Sequence, residues 1–168
     1  MKDITAIIFD LDGVICSTDE YHYRAWKQLA DQWNIPFGRT VNNRLRGVSR
    51  MESLEIVLEK YHGPALSRKQ KEELADYKNT IYRESLKAMS PADLSGEVKS
   101  TLDILRKRGY ALGIGSSSKN TPFILKQIGL ADFFDAVVDG NQIAHSKPDP
   151  EVFLKAAEKL HRDPAQCL

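Results

Sequence analysis

The stretch Ile4-Thr5-Ala6-Ile7-Ile8-Phe9 constrains this chain more than any other. It is a nearly continuous β-branched and aromatic run, the pattern of a strand buried on both faces of a parallel sheet. It stops abruptly at Asp10-Leu11-Asp12-Gly13. In extended backbone residues i and i+2 point the same way, so both carboxylates are expected to leave the strand end on one side.

The rest of the chain supplies a sheet for that strand. Val98, Leu102 and Leu105 mark a helix ending at Gly109, and Tyr110 to Ile114 reads as a strand landing on Ser116-Ser117-Ser118. A helix from about Asn120, with Pro122 in its first turn, ends at Gly129, and Phe134 to Val138 is the next strand. Asp149-Pro150 has the chemistry of a helix start, with the helix running to about Leu160. Gln166-Cys167-Leu168 reads as a strand beginning. Alternating strand and helix predicts an α/β fold with a doubly wound parallel sheet.

A helical block interrupts this sheet after its first strand. Ser17-x-x-Glu20 reads as a capping box opening a helix with His22, Trp26, Leu29 and Trp33 on one stripe, closed by Asn34 and Pro36. Ser49-x-x-Glu52 opens a second helix burying Leu54, Val57, Leu58 and Tyr61, stopped by His62-Gly63-Pro64. Ser67-x-x-Gln70 opens a third, carrying Leu74, Tyr77 and Ile81. The expected organisation is a Rossmann-like core over residues 1–15 and 90–168, with an α-helical cap domain inserted over residues 16–89. An insertion there is placed to act as a lid over the strand ends, where open α/β sheets bind ligands.

Composition narrows the function classes. The 168 residues make one ordinary domain or a core with an insertion, and 42% apolar with 28% charged residues is that of a soluble globular protein. With 24 Lys and Arg against 23 Asp and Glu, the net charge of +1 offers no global attraction to nucleic acid or anionic membrane. Cys16 and Cys167 lack metal-ligand spacing and read as reduced thiols of a cytoplasmic protein. The apolar run at 4–9 is too short for a signal-peptide core or a membrane span.

Two close carboxylates repel unless a cation compensates, and all-oxygen ligands point to Mg²⁺. Taken alone, Asp10 and Asp12 are equally a helix N-cap and a turn aspartate before Gly13. Ser116 at the next strand end can hold a phosphate through its hydroxyl and neighbouring N–H groups, although a serine there is often a mere cap. Lys147, before Pro148, lies in the loop after the third strand. Together these residues are the inventory of phosphoryl transfer: nucleophile, acid/base, anion cradle and fixed cation.

Phe9-Asp10-Leu11-Asp12-Gly13-Val14, Ser116 and Ser146-Lys147-Pro148 resemble, in kind, order and spacing, the motifs of the haloacid dehalogenase-like phosphotransferases. Within that superfamily the chain resembles the β-phosphoglucomutase family along its whole length. The residues are Asp10 to Ile15, Thr18, Glu20-Tyr21-His22, Arg24-Ala25-Trp26-Lys27, Gly47-Val48-Ser49-Arg50, Lys78-Asn79, Ser90-Pro91-Ala92-Asp93 and Ser116 to Asn120.

The resemblance implies the following roles. Asp10 is the nucleophile that becomes an aspartyl phosphate, and Asp12 is general acid/base and lends its carbonyl to Mg²⁺ beside Asp10. Ser116 and Lys147 hold the transferring phosphoryl group, and Arg50 binds the second phosphate. Arg46, Gly47, Val48, Ser49, Trp26, Ser53 and Lys78 line the sugar site, and Ser117, Ser118, Lys119 and Asn120 contact substrate from the core. His22 and Lys78 join lid closure to the positioning of Asp12, and Thr18 is counted with the catalytic residues. The implied reaction interconverts β-glucose 1-phosphate and glucose 6-phosphate through a 1,6-bisphosphate. A sugar-phosphate phosphatase, a phosphoacceptor signalling domain and an inactive phosphosugar-binding fragment are the rival readings. Without the resemblance, His22 and Trp26 read as helix packing, while Lys78 and Arg46 read as solvated charges. Arg50 in a first helical turn is disfavoured by the helix dipole, which argues for a functional reason.

The superfamily's acidic pair after a fourth strand falls just beyond Leu168 by this alignment. A truncated chain is therefore expected, with only Asp10 and the Asp12 carbonyl as protein metal ligands. A monomer is expected, with association through the exposed edge of the first strand if the chain is truncated.

Overall fold

Three short parallel strands, β1 (Ala6–Phe9), β2 (Ala111–Gly115) and β3 (Ala136–Val138), pair in the order β1-β2-β3 in the computed structural model, which describes residues 3–168. Met1 and Lys2, part of the segment 1–15 read as core, lie outside the described residues. Helices α5 (Gly96–Lys107), α6 (Thr121–Gln127) and α7 (Glu151–Lys159) alternate with the later strands. After α7 the chain returns to the far side of β1: Cys167 bridges Ala6, the Leu168 N–H donates to the Ala6 carbonyl (3.0 Å), and the Ile8 N–H donates to the Leu168 carbonyl (2.8 Å). Chain is thus added on both sides of β1, the order of a doubly wound sheet, for which right-handed crossovers place helices on both faces. α7 lies directly on β2. A Cβ at Gly113 would stand 3.1 Å from Leu160, and one at Gly115 would stand 3.0 Å from Phe153.

β1 is less buried than its composition predicts. Ala6 is fully buried, but Ile7, Ile8 and Phe9 are only half-buried and Ile4 is exposed.

The chain divides into an α/β unit, Met1–Ser17 with Met89–Leu168, and a helical unit, Thr18–Ala88. Three residues counted with the helical block on sequence grounds group instead with the sheet. The Cys16 carbonyl accepts from the Gly13 N–H (2.8 Å) and Ser17 follows it, while the Met89 carbonyl accepts from the Gln127 side chain (3.3 Å).

The helical unit holds α1 (Asp19–Gln32), α2 (Arg39–Asn43), α3 (Arg50–Leu58) and α4 (Arg68–Leu86). The capping boxes at Ser49/Glu52 and Ser67/Gln70 are both formed. The expected box at Ser17/Glu20 is not. The N-cap of α1 is Thr18, one residue later, and Glu20 instead pairs with Arg24 (3.0 Å) and Arg39 (2.8 Å). α1 ends as expected, with Asn34 in the left-handed region at φ 52°. α2 carries too few apolar residues to show a periodicity. The face of α4 also differs from expectation: Tyr77 is 42% exposed, and the buried stripe runs Leu74, Ala75, Lys78, Tyr82 and Leu86. The packing partners of that stripe, Trp26, Leu29, Leu54 and Val57, are buried; each large apolar side chain removed from water contributes roughly 1.5–3 kcal/mol. No helix among the described residues is long and apolar enough to cross a membrane.

Candidate active site

Asp10 is the first residue beyond β1, Ser116 the first beyond β2, and Lys147 lies in the loop that follows β3. Phe9 pairs with Ile114 in register, so Asp10 and Ser116 leave neighbouring strand ends, and the Ser116 N–H donates to the Val138 carbonyl of β3 (3.0 Å). The Lys147 ammonium donates to Asp10 Oδ1 at 2.8 Å. The Leu11 N–H donates to the same oxygen at 2.7 Å, so both bonds fall on Oδ1 and not on Oδ2. An ammonium and an amide on one carboxylate oxygen fix the rotation of the group, which suits an oxygen nucleophile.

The loop after Asp10 turns on Gly13, whose φ of +78° is open to glycine at no steric cost. The Leu11 carbonyl accepts from Val14, Ile15 and Cys16 N–H groups (3.3, 3.0 and 3.3 Å). Asp12 forms a short parallel bridge with Cys16. Burial, then the nearby Asp12 and Asp93 carboxylates, push the Cys16 thiol up to about 12, so it stays protonated beside Asp12.

The serine loop is moulded by the loop after β3. Ser116 is 2% exposed and its hydroxyl accepts from the Ser118 N–H (3.1 Å); the Ser118 hydroxyl accepts from the Asn120 N–H (3.2 Å). From the other side the Gly140 N–H donates to the Ser118 carbonyl (3.2 Å), and the Asn141 side chain donates to the Lys119 carbonyl (3.1 Å). A Cβ at Gly140 would lie 2.2 Å from the Ser117 carbonyl oxygen, so only glycine allows this approach. Asp139, itself buried, accepts from the Asn141 N–H (2.7 Å) and fixes the turn. Sequence reasoning missed Asp139, Gly140 and Asn141; the Asp-Gly-Asn triplet directly after a strand was the available signal.

The helical unit gathers a second group of the expected residues. Lys78 is 4% exposed, with its ammonium 2.8 Å from His22 Nδ1 and 4.7 Å from the ring centres of both Trp26 and Tyr82. His22 stacks on Tyr82 with centroids 4.0 Å apart. Because an ammonium only donates, Nδ1 must accept, so His22 is neutral with its proton on Nε2. Burial first, then the charges of Lys78 and Arg50, hold the His22 pKa well below its ordinary value. Arg50 donates to the Asn79 side chain (3.0 Å) and approaches only the exposed Asp76 carboxylate, at 3.5 Å. Burial lowers its pKa, opposed by the nearby Asp76 carboxylate.

Other expected residues sit apart from these groups. Arg46 is paired to Asp19 at the surface. The Ser49 side chain is occupied by the helix cap with Glu52. Ser53 and Thr18 are buried, and the Thr18 carbonyl accepts from the His22 N–H (3.0 Å). Gly47 turns with φ +72° and Val48 is half-buried.

Among the described residues no three His, Cys, Asp or Glu side chains cluster as a metal cage. The carboxylate oxygens of Asp10 and Asp12 nonetheless are the donor type that a hard cation shared with phosphate and water takes.

The family model that matches this chain, described as haloacid dehalogenase-like hydrolase, spans residues 4–168. The chain belongs to the haloacid dehalogenase-like hydrolases. Within that family it is 44% identical over 165 residues to the beta-phosphoglucomutase of Bacillus subtilis (strain 168), covering 96% of this chain and 72% of that protein. The phosphorylated carbohydrates phosphatase of Thermotoga maritima is 27% identical over 168 residues, covering 97% of this chain and 74% of that one. Among solved structures, the beta-phosphoglucomutase of Clostridium difficile superposes with a TM-score of 0.89 at 36% identity, over 98% of this chain and 74% of that chain. The haloacid dehalogenase-like fold thus accounts for the parallel sheet with its helices.

Proposed function

We propose that this chain is a β-phosphoglucomutase by reaction, interconverting β-glucose 1-phosphate and glucose 6-phosphate through a bound glucose 1,6-bisphosphate. The observation that carries this reading is the 44% identity to a relative of that name, which runs through both units. The buried Lys78–His22 pair and the half-buried Arg50 support it, because a phosphoryl-transfer site alone has no use for them.

In the first half-reaction an Asp10 carboxylate oxygen attacks the phosphorus of a phosphate ester. A P–O bond to Asp10 forms, the P–O bond to the sugar breaks, and Asp12 delivers a proton to the leaving sugar oxygen. In the second, the free hydroxyl of a bound glucose monophosphate attacks the aspartyl phosphate while Asp12 takes up its proton, which restores Asp10 and gives the 1,6-bisphosphate whose other ester then enters the first half-reaction. Lys147 and Ser116 hold the transferring oxygens throughout. Asp10 and the Asp12 carbonyl would hold Mg²⁺, which would neutralise phosphoryl charge when bound. Arg50 holds the phosphate that is not reacting, and transfer to a sugar hydroxyl requires that water be kept from the aspartyl phosphate. The protein acts in the cytoplasm, as a monomer, on sugar phosphates.

Phosphorus NMR of the chain with β-glucose 1-phosphate, Mg²⁺ and a trace of the 1,6-bisphosphate tests this directly. The expected result is replacement of the substrate resonance by that of glucose 6-phosphate. Accumulation of inorganic phosphate alone would instead select a sugar-phosphate phosphatase, the chemistry named for the Thermotoga maritima relative.

A further inference from the structure

Lys147 sits on a loop, and a loop lysine is ordinarily a mobile cation. Here the loop is tied at two points to the first turns of α7. The Glu151 carboxylate accepts from the Ala144 N–H (3.0 Å to both oxygens) and the His145 N–H (2.7 Å), and it also pairs with Lys155 (2.6 Å). These bonds, Lys155 first, hold its pKa down to about 2, so the tie is charged at any pH the protein meets. Two residues along the helix, the Phe153 ring centre lies 4.9 Å from the Lys147 ammonium. The same ring packs on bare Gly115 at the end of β2, where a Cβ would come within 3.0 Å of it. The ring is therefore seated on the sheet itself, and the ammonium above it points at Asp10 from 2.8 Å.

We infer that Glu151 and Phe153 are positioning residues that form a platform for Lys147, with Glu151 fixing the backbone of its loop and Phe153 fixing its charge. The inference rests on the reading of Asp10 as a phosphoryl acceptor for its functional meaning, but not for its geometry. A cation–π contact and a charged loop tie restrict Lys147 to the one place where it meets Asp10. Neither residue touches the reacting atoms. Glycine at 115 follows from the same arrangement, since a side chain there would lift the ring.

The test compares wild type with Phe153→Leu, Phe153→Tyr and Glu151→Gln in two measurements. The first is competitive reductive methylation of lysines, read by peptide mass spectrometry. Lys147 labelling should rise severalfold in Phe153→Leu and Glu151→Gln, while Phe153→Tyr, which keeps the ring, labels as wild type. Lys78, 4% exposed in the other unit, serves as the unfolding control and should not change. The second is single-turnover phosphorylation of Asp10 by glucose 1,6-bisphosphate. Its rate should fall about tenfold in Phe153→Leu and Glu151→Gln, with the half-saturating concentration unchanged and Phe153→Tyr within about twofold of wild type. Unchanged Lys147 labelling in both variants overturns the platform. Increased labelling in the variants, with no phosphoenzyme even in wild type, upholds the platform and overturns the functional reading instead.

Discussion

The Lys147 ammonium and the Asp10 carboxylate stand 2.8 Å apart, although 136 positions of chain separate them (147 minus 10 gives a spacing of 137) and each belongs to a different strand-end loop. Both side chains are partly open to water, so the pair contributes little to stability, under about 1 kcal/mol. Its use is chemical. Replacing Lys147 with Ala should leave the urea midpoint nearly unchanged while lowering the phosphorylation rate of Asp10 by about 10²- to 10³-fold. Paired denaturation and single-turnover measurements check this.

Gly140 is predicted to be indispensable for a steric reason. Gly140→Ala drives a methyl group against the Ser117 carbonyl oxygen, 2.2 Å from the ideal Cβ, and against the Lys119 N–H nitrogen at 3.0 Å. Backbone cannot yield as a flexible side chain does, so thermal denaturation should show a loss of about 1–3 kcal/mol. Phosphate affinity should fall with it, because the Ser116 loop is what moves.

His22 makes the helical unit sensitive to acid. Its folded pKa lies well below the ordinary 6.5, so below pH 6.5 the unfolded chain binds a proton that the folded chain refuses. Stability is therefore complete above pH 6.5 and falls as the pH drops below it, by about 1.4 kcal/mol per unit until the folded pKa is reached. Trp26 and Trp33, the two tryptophans of the chain, both lie in this unit, so urea unfolding followed by their fluorescence reads it selectively. His22→Asn should remove this pH dependence.

Arg50 should matter only for donors with a second phosphate. Arg50→Ala is expected to weaken glucose 1,6-bisphosphate binding by about 10- to 100-fold, the loss of one or two charge-assisted hydrogen bonds. Phosphorylation of Asp10 by acetyl phosphate, which has no second phosphate, should keep its rate. Equal losses with both donors would place Arg50 in the folding of α3 rather than in binding.

The sheet and its strand-end residues were legible because their signals are local. A β-branched run ending in Asp-x-Asp-Gly, serines after Gly115 and a lysine before Pro148 all declare themselves within a few residues. Capping boxes at Ser49 and Ser67 were legible for the same reason, and the one at Ser17 failed because Glu20 finds arginines instead. α4 was read one position out of face: a lysine scores as solvent-facing, yet Lys78 is buried against Trp26, Tyr82 and His22, which only tertiary packing supplies. The close approach at Gly140 acts across space on the Ser116 loop, and Glu151 and Phe153 fold back on the loop just before them, a contact that leaves no periodic pattern in the sequence.

The most direct measurement is peptide mapping of the chain after a brief reaction with glucose 1,6-bisphosphate and Mg²⁺, followed by acid quench. The prediction is one phosphoryl group on the peptide holding Asp10, labile to hydroxylamine as an acyl phosphate is and absent from Asp10→Asn. A folded, active wild-type chain whose label is missing, or sits on another residue, would contradict the account.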